Sequence, residues 1–342
     1  GGTWTNVRDL GNNGRVEIVA SKQTANKLYV LLENNSGAGD LARFAVTTDG
    51  FATAPTFRTI PDDVDTGFPA NDFTRGQSFY DLLIGIDPNN DNTLIIGGID
   101  LFKTTNGGTS FTQISKWSNN NNLAALSVPV VHADQHCIAY ANSSALVLGN
   151  DGGVYYSSSG GSGSSTALAA RNNGYNVTQF VRGGINQTGV TQKLVAGAQD
   201  NGTQFINNAP QTPASSTSIA GGDGFYCFVD KQDAYMISSY VYNVYRLHSM
   251  TGTNLGTFAN DQSTGDFVNQ CDLDSNSDIL YANGTTGTPT YQIKRYSGAN
   301  FSTTDLLTDP LLNSYPIAFR ASPYTSNRLM VGLANGRLLR LN

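Results

Sequence analysis

Four short acidic segments carry the residues in this sequence that could bind a ligand or do chemistry. They are Val131–His136, Gly149–Gly153, Ala198–Thr203 and Gly221–Phe225. Each holds one aspartate among glycine, asparagine, glutamine or histidine, and Ca²⁺ takes carboxylate and backbone carbonyl oxygens. One interpretation is a ring of carboxylates, Asp151, Asp200 and Asp223, that binds calcium or a polar ligand. The alternative is that each carboxylate caps its own turn.

The first segment also contains two histidines. His132 and His136 flank Asp134 at two-residue spacing, so on a strand all three would point to one face. This pattern suits a metal or proton-transfer site, and it also suits a polar ladder that satisfies backbone groups. The sequence therefore predicts a ligand-binding set made of His132, Asp134, His136, Asp151, Asp200, Asn201 and Asp223.

Enzyme classes are mostly disfavoured. The chain has no G-x-S-x-G nucleophile elbow before a helix, and its only glutamates, Glu17 and Glu33, argue against a sialidase. A glycoside hydrolase needs two carboxylates across a cleft, and Asp134 and Asp200 are the candidates for that alternative. Propeller hydrolases of the xyloglucanase type place their cleft between two propellers, whereas this chain is long enough for about one.

The composition excludes further classes. Only 13% of the 342 residues are charged and the net charge is −6, which argues against a nucleic-acid partner. The sequence contains no run of 18 apolar residues, so it does not predict direct membrane insertion. The sequence has an odd number of cysteines, Cys137, Cys227 and Cys271. Two interpretations stay open: one disulfide with a free thiol, or three buried thiols. Low charge without a cysteine framework suits an exported protein.

Seven short apolar runs recur along the chain, each bounded by turn formers. They are centred on Leu28, Leu94, Leu146, Leu194, Tyr235, Ile279 and Leu329, at steps of 66, 52, 48, 41, 44 and 50 residues. Periods of about 40–50 residues with several short strands per unit are typical of β-propeller blades. We therefore predict an all-β fold, a propeller of seven four-stranded blades that forms one domain over residues 1–342.

Polar hairpins follow several of these runs. The segment Thr104–Phe111, TTNGGTSF, resembles the Asp-box (BNR) hairpin S/T-x-D-x-G-x-T-W, with asparagine for aspartate and phenylalanine for tryptophan. Val46–Phe51 is a shorter instance and Val154–Gly161 a degenerate one. A short polar side chain would cap each turn while glycines supply positive φ.

The two ends of the chain leave two architectures open. Gly1–Val7 is similar to the second half of such a hairpin with its outer strand, and Asn335–Leu341 to the strand before one. The N-terminal strand is thus predicted to complete the last blade and close the ring. The alternative is that the chain is a segment of a larger propeller.

The order of the four acidic segments resembles the central part of secreted Bacteroidetes propellers. These are the sortilin/Vps10-like, BNR/Asp-box repeat proteins, and the resemblance covers Val130–Tyr240. It implies a secreted or cell-surface protein, export by the type IX system and a larger parent polypeptide. The predicted function is non-catalytic recognition of a protein or glycan at the cell surface, with glycoside hydrolysis as the alternative. No cofactor is required, and calcium is the one ion expected.

Overall fold

The computed structural model describes residues 2–11, 13–34, 41–65, 72–175, 177–189, 191–210, 212, 214–287 and 289–342. Within these ranges the chain forms strands and two short 3₁₀ turns, Asn121–Ala125 and Ala299–Phe301, and no α-helix. The strands are β1 (Asn13–Ala20), β2 (Leu28–Asn34), β3 (Leu41–Thr47), β4 (Thr56–Arg58), β5 (Leu83–Asp87), β6 (Asn90–Gly97), β7 (Leu101–Thr104), β8 (Thr112–Gln113), β9 (Gln135–Tyr140), β10 (Leu146–Asn150), β11 (Gly153–Ser157), β12 (Ala169–Ala170), β13 (Arg182–Ile185), β14 (Leu194–Ala198), β15 (Gly202–Ile206), β16 (Thr217–Ala220), β17 (Cys227–Val229), β18 (Met236–Ser239), β19 (Asn243–His248), β20 (Asn254–Asp261), β21 (Cys271–Asp274), β22 (Ile279–Asn283), β23 (Ile293–Ser297), β24 (Thr303–Leu307), β25 (Pro316–Ala321), β26 (Leu329–Leu333) and β27 (Leu338–Leu341).

Consecutive strands pair antiparallel into seven sheets. Six sheets have four strands each, and the last, β25 to β27, has three. Within every sheet the spatial order of the strands is the order of the chain, or its reverse. These are the blades of a β-propeller, so the predicted fold class and the number of blades are confirmed.

The chain divides into two compact units. The first, Gly1–Asn176, contains the first three sheets, and the second, Val177–Asn342, contains the other four. The assignment of residues 1–342 to one domain stays a prediction, and each unit is described by itself below. The helical turns of the described residues are too short and too polar to cross a membrane.

Apolar side chains on both faces of the second strands hold the sheets of the first unit together. Successive residues of a strand point to opposite faces, so a strand between two sheets is apolar throughout. On β6, Leu94 and Ile96 face the first sheet in one buried cluster, and Ile95 belongs to the cluster shared with the third sheet. The first strands β1 and β5, and β5 and β9, pack against each other.

The second unit repeats this arrangement with different side chains. Phe205 and Met236 lie in the cluster between the fourth and fifth sheets, Tyr245 and Leu280 in the next, and Val331 in the last. Because successive side chains of β22 point to opposite faces, Ile279 and Leu280 belong to two different buried clusters. The apolar runs found in the sequence are therefore the second strands of the blades.

The hairpin Thr104–Phe111 has the hydrogen bonds that its resemblance predicts. The Thr104 hydroxyl accepts from the Gly108 N–H at 3.0 Å, and Asn106 Oδ1 accepts from the Ser110 N–H at 3.0 Å. Phe111 packs edge-on against Phe44 of the neighbouring sheet. A Cβ at Gly108 would meet the Phe44 ring at 2.1 Å, and its φ is +84°, so glycine is required there.

Three other turns between third and fourth strands use the same device. The hydroxyl of Thr47, Ser157 or Ser249 accepts the N–H four residues later, at 3.0, 2.9 and 3.1 Å. The hairpin at Ser249 was not predicted, because it has neither an acidic cap nor a terminal aromatic residue.

The predicted closing strand at the N-terminus is not formed. Gly1 lies outside the described residues, and residues 2–10 make no strand. The last sheet accordingly has three described strands rather than four. The Arg8 guanidinium instead donates to the carbonyls of Phe51 and Ala52, and Leu10 packs beside Val30 of the first sheet. These contacts hold the segment on the first sheet.

Turns between first and second strands are tied to the next sheet by aspartates. We name this side of each sheet the lower edge. Asp91 Oδ2 accepts from the hydroxyls of Ser21 at 2.9 Å and Thr24 at 2.6 Å, and its Oδ1 lies 3.1 Å from Lys27 Nζ. The equivalent pairs are Asp87 with Ser143, Asp233 with Thr188, Asp230 with Ser275 and Asp274 with Asn327.

We expect Asp91→Ala to lower the free energy of unfolding by about 2–4 kcal/mol, because it leaves a half-buried lysine and two hydroxyls without their acceptor. The Thr24 hydroxyl, ahead of the Lys27 ammonium, holds the pKa of Asp91 below its usual value. The contribution is therefore present at neutral pH and lost as the pH falls through the carboxyl range. Urea unfolding at several pH values measures it. Asp62→Ala, at an exposed position, is the control, and an equal loss in both variants would contradict the role of Asp91.

Candidate functional site

The predicted site residues collect at one edge of the sheets. In an antiparallel sheet that follows the order of the chain, the start of the first strand and the turn between the second and third strands lie at the same edge. We name this the upper edge. Asp134 precedes β9 and Asp151 lies in the β10–β11 turn, while Asp200 lies in the β14–β15 turn and Asp223 precedes β17. All four predicted aspartates thus lie on the upper edge of their own sheets.

In the first unit Asp151 is held by two aromatic groups. His136 Nε2 lies 2.6 Å from Asp151 Oδ1, and the Tyr80 hydroxyl donates to Asp151 Oδ2 at 2.7 Å. The rings of Tyr80 and His136 meet edge-to-face at 4.9 Å. The His136 side chain is 31% exposed and that of Asp151 is 13% exposed. This arrangement fixes the direction of the Asp151 carboxylate at the surface.

Asp134 lies beneath this surface and does not share a strand face with the histidines. β9 begins at Gln135, and Asp134 has a φ of +64°, so the alternation assumed from the sequence starts only after it. His132 has Nδ1 3.2 Å from the Ala133 carbonyl, and its own carbonyl accepts from the amide of Gln135 at 2.6 Å. The predicted grouping of His132, Asp134 and His136 on one strand face is therefore wrong.

A second carboxyl group, Asp81, faces Asp134 from the segment before β5. Asp81 is fully buried and Asp134 is 7% exposed. Burial, and then the charge of Asp134, raises the pKa of Asp81 far above its usual range. Burial, and then the charge of Asp151, raises the pKa of Asp134 by less. No donor among the described residues reaches Asp81 Oδ1, Asp81 Oδ2 or Asp134 Oδ1, so the two carboxyls can share a hydrogen bond only where one of them carries a proton.

Beside this pair lies a buried cluster around one arginine. Arg75 Nη2 lies 2.9 Å from Asp63 Oδ2, 3.3 Å from Asp65 Oδ2 and 3.9 Å from Asp100 Oδ2. Burial, and then the charge of Asp63, raises the pKa of Asp100 well above its usual value. Trp117 donates its indole N–H to Asp65 at 3.2 Å. The cluster thus supports an aromatic side chain at the surface.

In the second unit Asp200 and Asp223 are also brought together. The Asp200 N–H donates to Asp223 Oδ1 at 3.1 Å, which makes Asp223 a cap for the turn. Burial, and then the charge of Asp223, raises the pKa of Tyr240, whose ring lies 5.1 Å below the Arg246 guanidinium. Asn201 donates from its amide to the Gln199 carbonyl at 3.2 Å within the same turn.

The predicted calcium ligands are divided between the units. Asp151 belongs to the first unit, and Asp200 and Asp223 belong to the second. Calcium binding by this set, ligand binding by the seven predicted residues and catalysis by Asp134 with Asp200 all stay predictions. Cys137, Cys227 and Cys271 are all free thiols, so the predicted alternative of one disulfide plus a thiol is wrong, and the alternative of three buried thiols is wrong for Cys137, which is exposed. Cys227 and Cys271 are buried, and burial raises the pKa of the Cys227 thiol to about 12.

Sequence reasoning missed Tyr80, Asp81 and Arg75. They lie in the segment between β4 and β5, which lengthens the first step of the repeat to 66 residues. The unusual step was a signal that this blade carries an insertion. Its aspartates have no counterpart in the other repeats, so no pattern marked them.

Comparisons with known proteins support no family. No protein-family model matches the chain, and the search of curated proteins finds no match. Solved structures are similar at low identity. YCF48 bound to D1 peptide is 13% identical, with 96% of this chain and 97% of that chain covered and a TM-score of 0.36. The Pan2 WD40 domain of Neurospora crassa is 12% identical, with 76% and 74% covered and a TM-score of 0.38. These values carry no argument about function.

We expect two substitutions in the arginine cluster to lower the free energy of unfolding by very different amounts. Arg75→Met should lower the free energy of unfolding by about 3–5 kcal/mol, because buried carboxylates lose their only close cation among the described residues. Asp100→Asn should cost less than about 1 kcal/mol, because an uncharged amide keeps the shape of the carboxyl and removes the burial penalty and the repulsion from Asp63 that raise its pKa. Urea unfolding at neutral pH measures both. A large loss in Asp100→Asn would show that Asp100 is ionised.

Proposed function

We propose that this protein is a non-catalytic recognition module that binds a protein partner through the upper edge of its first unit. The observation that carries the proposal is the exposure of three aromatic side chains there. Phe79 is 56% exposed, and Tyr80 and Trp117 are each 37% exposed. Large aromatic side chains that remain at a surface and are held in place supply binding energy at low entropic cost.

The surroundings of these rings favour a basic partner. Tyr80 is bonded to the carboxylate of Asp151, and the Phe79 and Tyr80 rings lie 6.5 Å apart. A lysine or arginine side chain could lie over the rings while its charge meets Asp151. The net charge of −6 acts in the same direction by steering cationic partners.

The hairpin turns bear on where this recognition takes place. The hydroxyl-capped turns at Thr47, Thr104 and Ser157 support the resemblance to BNR/Asp-box, sortilin-like propellers. On that resemblance we propose a secreted or cell-surface protein that is part of a larger polypeptide exported by a type IX system. A glycan, stacked on the same rings, is the alternative ligand at the cell surface.

A displayed library of random linear peptides tests the proposal. We expect selection to enrich peptides with lysine or arginine, and Tyr80→Ala or Asp151→Asn to weaken their binding about tenfold or more, as loss of a hot-spot residue does. Binding is measured by titration calorimetry with a selected peptide.

Tyr324→Ala is the matched control, because Tyr324 is 93% exposed in the β25–β26 turn at a lower edge. Its affinity should equal that of the wild type. Enrichment of no peptide, or equal loss of affinity in all three variants, would contradict a protein-binding upper edge.

Glycoside hydrolysis is the second candidate, and one observation favours it. One carboxylate oxygen of Asp134 and one of Asp151 lie within 4.8 Å of each other, which is closer than the separation of about 6.5–9.5 Å in inverting glycosidases and so favours the retaining type. The raised pKa of Asp134 suits an acid and the surface position of Asp151 suits a nucleophile.

We expect hydrolysis of a polysaccharide panel, if this activity exists, to fall by at least about 10³-fold in Asp134→Asn and in Asp151→Asn. Release of reducing sugar is the measurement, and Asp62→Asn is the control that keeps its activity. Activity that survives both substitutions, or a wild-type protein that cleaves none of the panel, would rule out these two carboxylates as a catalytic pair.

A further inference from the structure

The buried carboxyl group of Asp81 is not balanced by a cation of the kind that other aspartates of this chain have, and the basic groups that act on its neighbour Asp134 are the imidazoles of His132 and His136. The groups that act most strongly on Asp81 are Asp134 and Asp72, both acidic. Asp81 has no exposed surface, and neither of its carboxylate oxygens has a hydrogen-bond partner among the described residues. By contrast, Asp91 meets Lys27 and Asp63 meets Arg75. Burial of carboxylates without a counter-charge is costly, so these oxygens are suited to a positive ligand.

Asp134 lies between the buried Asp81 and the surface residue Asp151. It faces Asp81 on one side, and one of its oxygens lies within 4.8 Å of an oxygen of Asp151. Two oxygens bound to one Ca²⁺ ion, each about 2.4 Å away, can be at most about 4.8 Å apart, and this pair of oxygens meets that limit. The oxygens of Asp151 are held by contacts that include His136 and Tyr80, and a carboxylate oxygen can accept a hydrogen bond and bind an ion at the same time.

We propose that Asp81, Asp134 and Asp151 form a divalent cation site at the upper edge of the first unit, and that its ion is Ca²⁺. The three donors are carboxylates. Hard cations such as Ca²⁺ bind oxygen ligands of this kind, whereas softer transition metals favour sulfur and imidazole ligands. They come from a loop, a turn residue of positive φ and a second turn, so the site can adopt the irregular geometry that Ca²⁺ accepts and Mg²⁺ does not. This set shares only Asp151 with the calcium ligands predicted from the sequence, and it does not depend on the proposed recognition of a partner.

The ion would join three separate segments. Asp81 ends the insertion before β5, Asp134 precedes β9, and Asp151 lies in the β10–β11 turn. Binding to the folded state alone raises its stability by mass action. The ion would also add a fixed contact below Tyr80, through Asp151.

Thermal unfolding and terbium luminescence test the site on the whole chain. The protein is stripped with EDTA, and its melting temperature is measured with and without added CaCl₂ or MgCl₂. We expect Ca²⁺ to raise the melting temperature by several degrees, with a smaller effect of Mg²⁺. Tb³⁺, which replaces Ca²⁺, should bind at one site with luminescence sensitised by a nearby ring such as Tyr80, and Ca²⁺ should displace it.

Asp134→Asn and Asp81→Asn should each weaken Tb³⁺ binding at least tenfold. Asp62→Asn removes one exposed carboxylate of the same unit and should bind as the wild type does. If a buried substitution prevents folding, Asp151→Asn at the surface replaces it. Equal melting temperatures with EDTA and Ca²⁺, or Tb³⁺ binding that is unchanged in Asp134→Asn, would overturn the proposal and show that the pair is kept neutral by a proton.

Discussion

The antiparallel order of strands within each sheet is the constraint on which the rest of this structure depends. Because each sheet follows the order of the chain, its first strand begins where its second and third strands are joined. Asp134 and Asp151 therefore meet in one sheet, and Asp200 meets Asp223 from the next. The same order places the turns that are tied by Asp91 and its equivalents at the opposite edge. One topological rule thus separates a structural edge from a candidate binding edge.

Burial of apolar side chains on both faces of the sheets explains why polar chemistry is confined to the edges. A second strand such as β6 faces a neighbouring sheet on each side, so Leu94, Ile95 and Ile96 are apolar and its one carboxylate, Asp91, lies at the lower end of the strand. The aspartates at the edges are stabilised in different ways. Asp91 has hydroxyls and a lysine, Asp63 has an arginine, and Asp100 accepts from the Ser115 hydroxyl and the Gln113 amide. Asp81 has none of these in the described structure, which sets the upper edge of the first unit apart.

The sequence predicted the structural features that recur in every blade, and it did not predict features that occur only once in the chain. Seven apolar runs between turn formers were enough for the blades, because the period and the alternation follow from sheet stacking. The hairpin at Thr104 was predicted because its hydrogen bonds need particular residue types at fixed offsets. Tyr80 and Asp81 belong to an insertion that no other blade shares, so spacing could not mark them. The N-terminal segment was misassigned because Arg8 and Leu10 bind the first sheet, and a local pattern does not show tertiary competition.

Asp151 links the buried carboxyls to the surface that we propose for recognition. Its carboxylate is contacted by His136 and by the exposed Tyr80, and its charge is the neighbouring charge that most raises the pKa of Asp134. Any ion or proton that changes the charge below therefore changes the field at Asp151. The position of the Tyr80 ring depends on its hydrogen bond to the same group. If the proposed cation site and the proposed aromatic surface each bind a ligand, their affinities are consequently coupled, and this coupling acts in both directions because it is one difference in free energy.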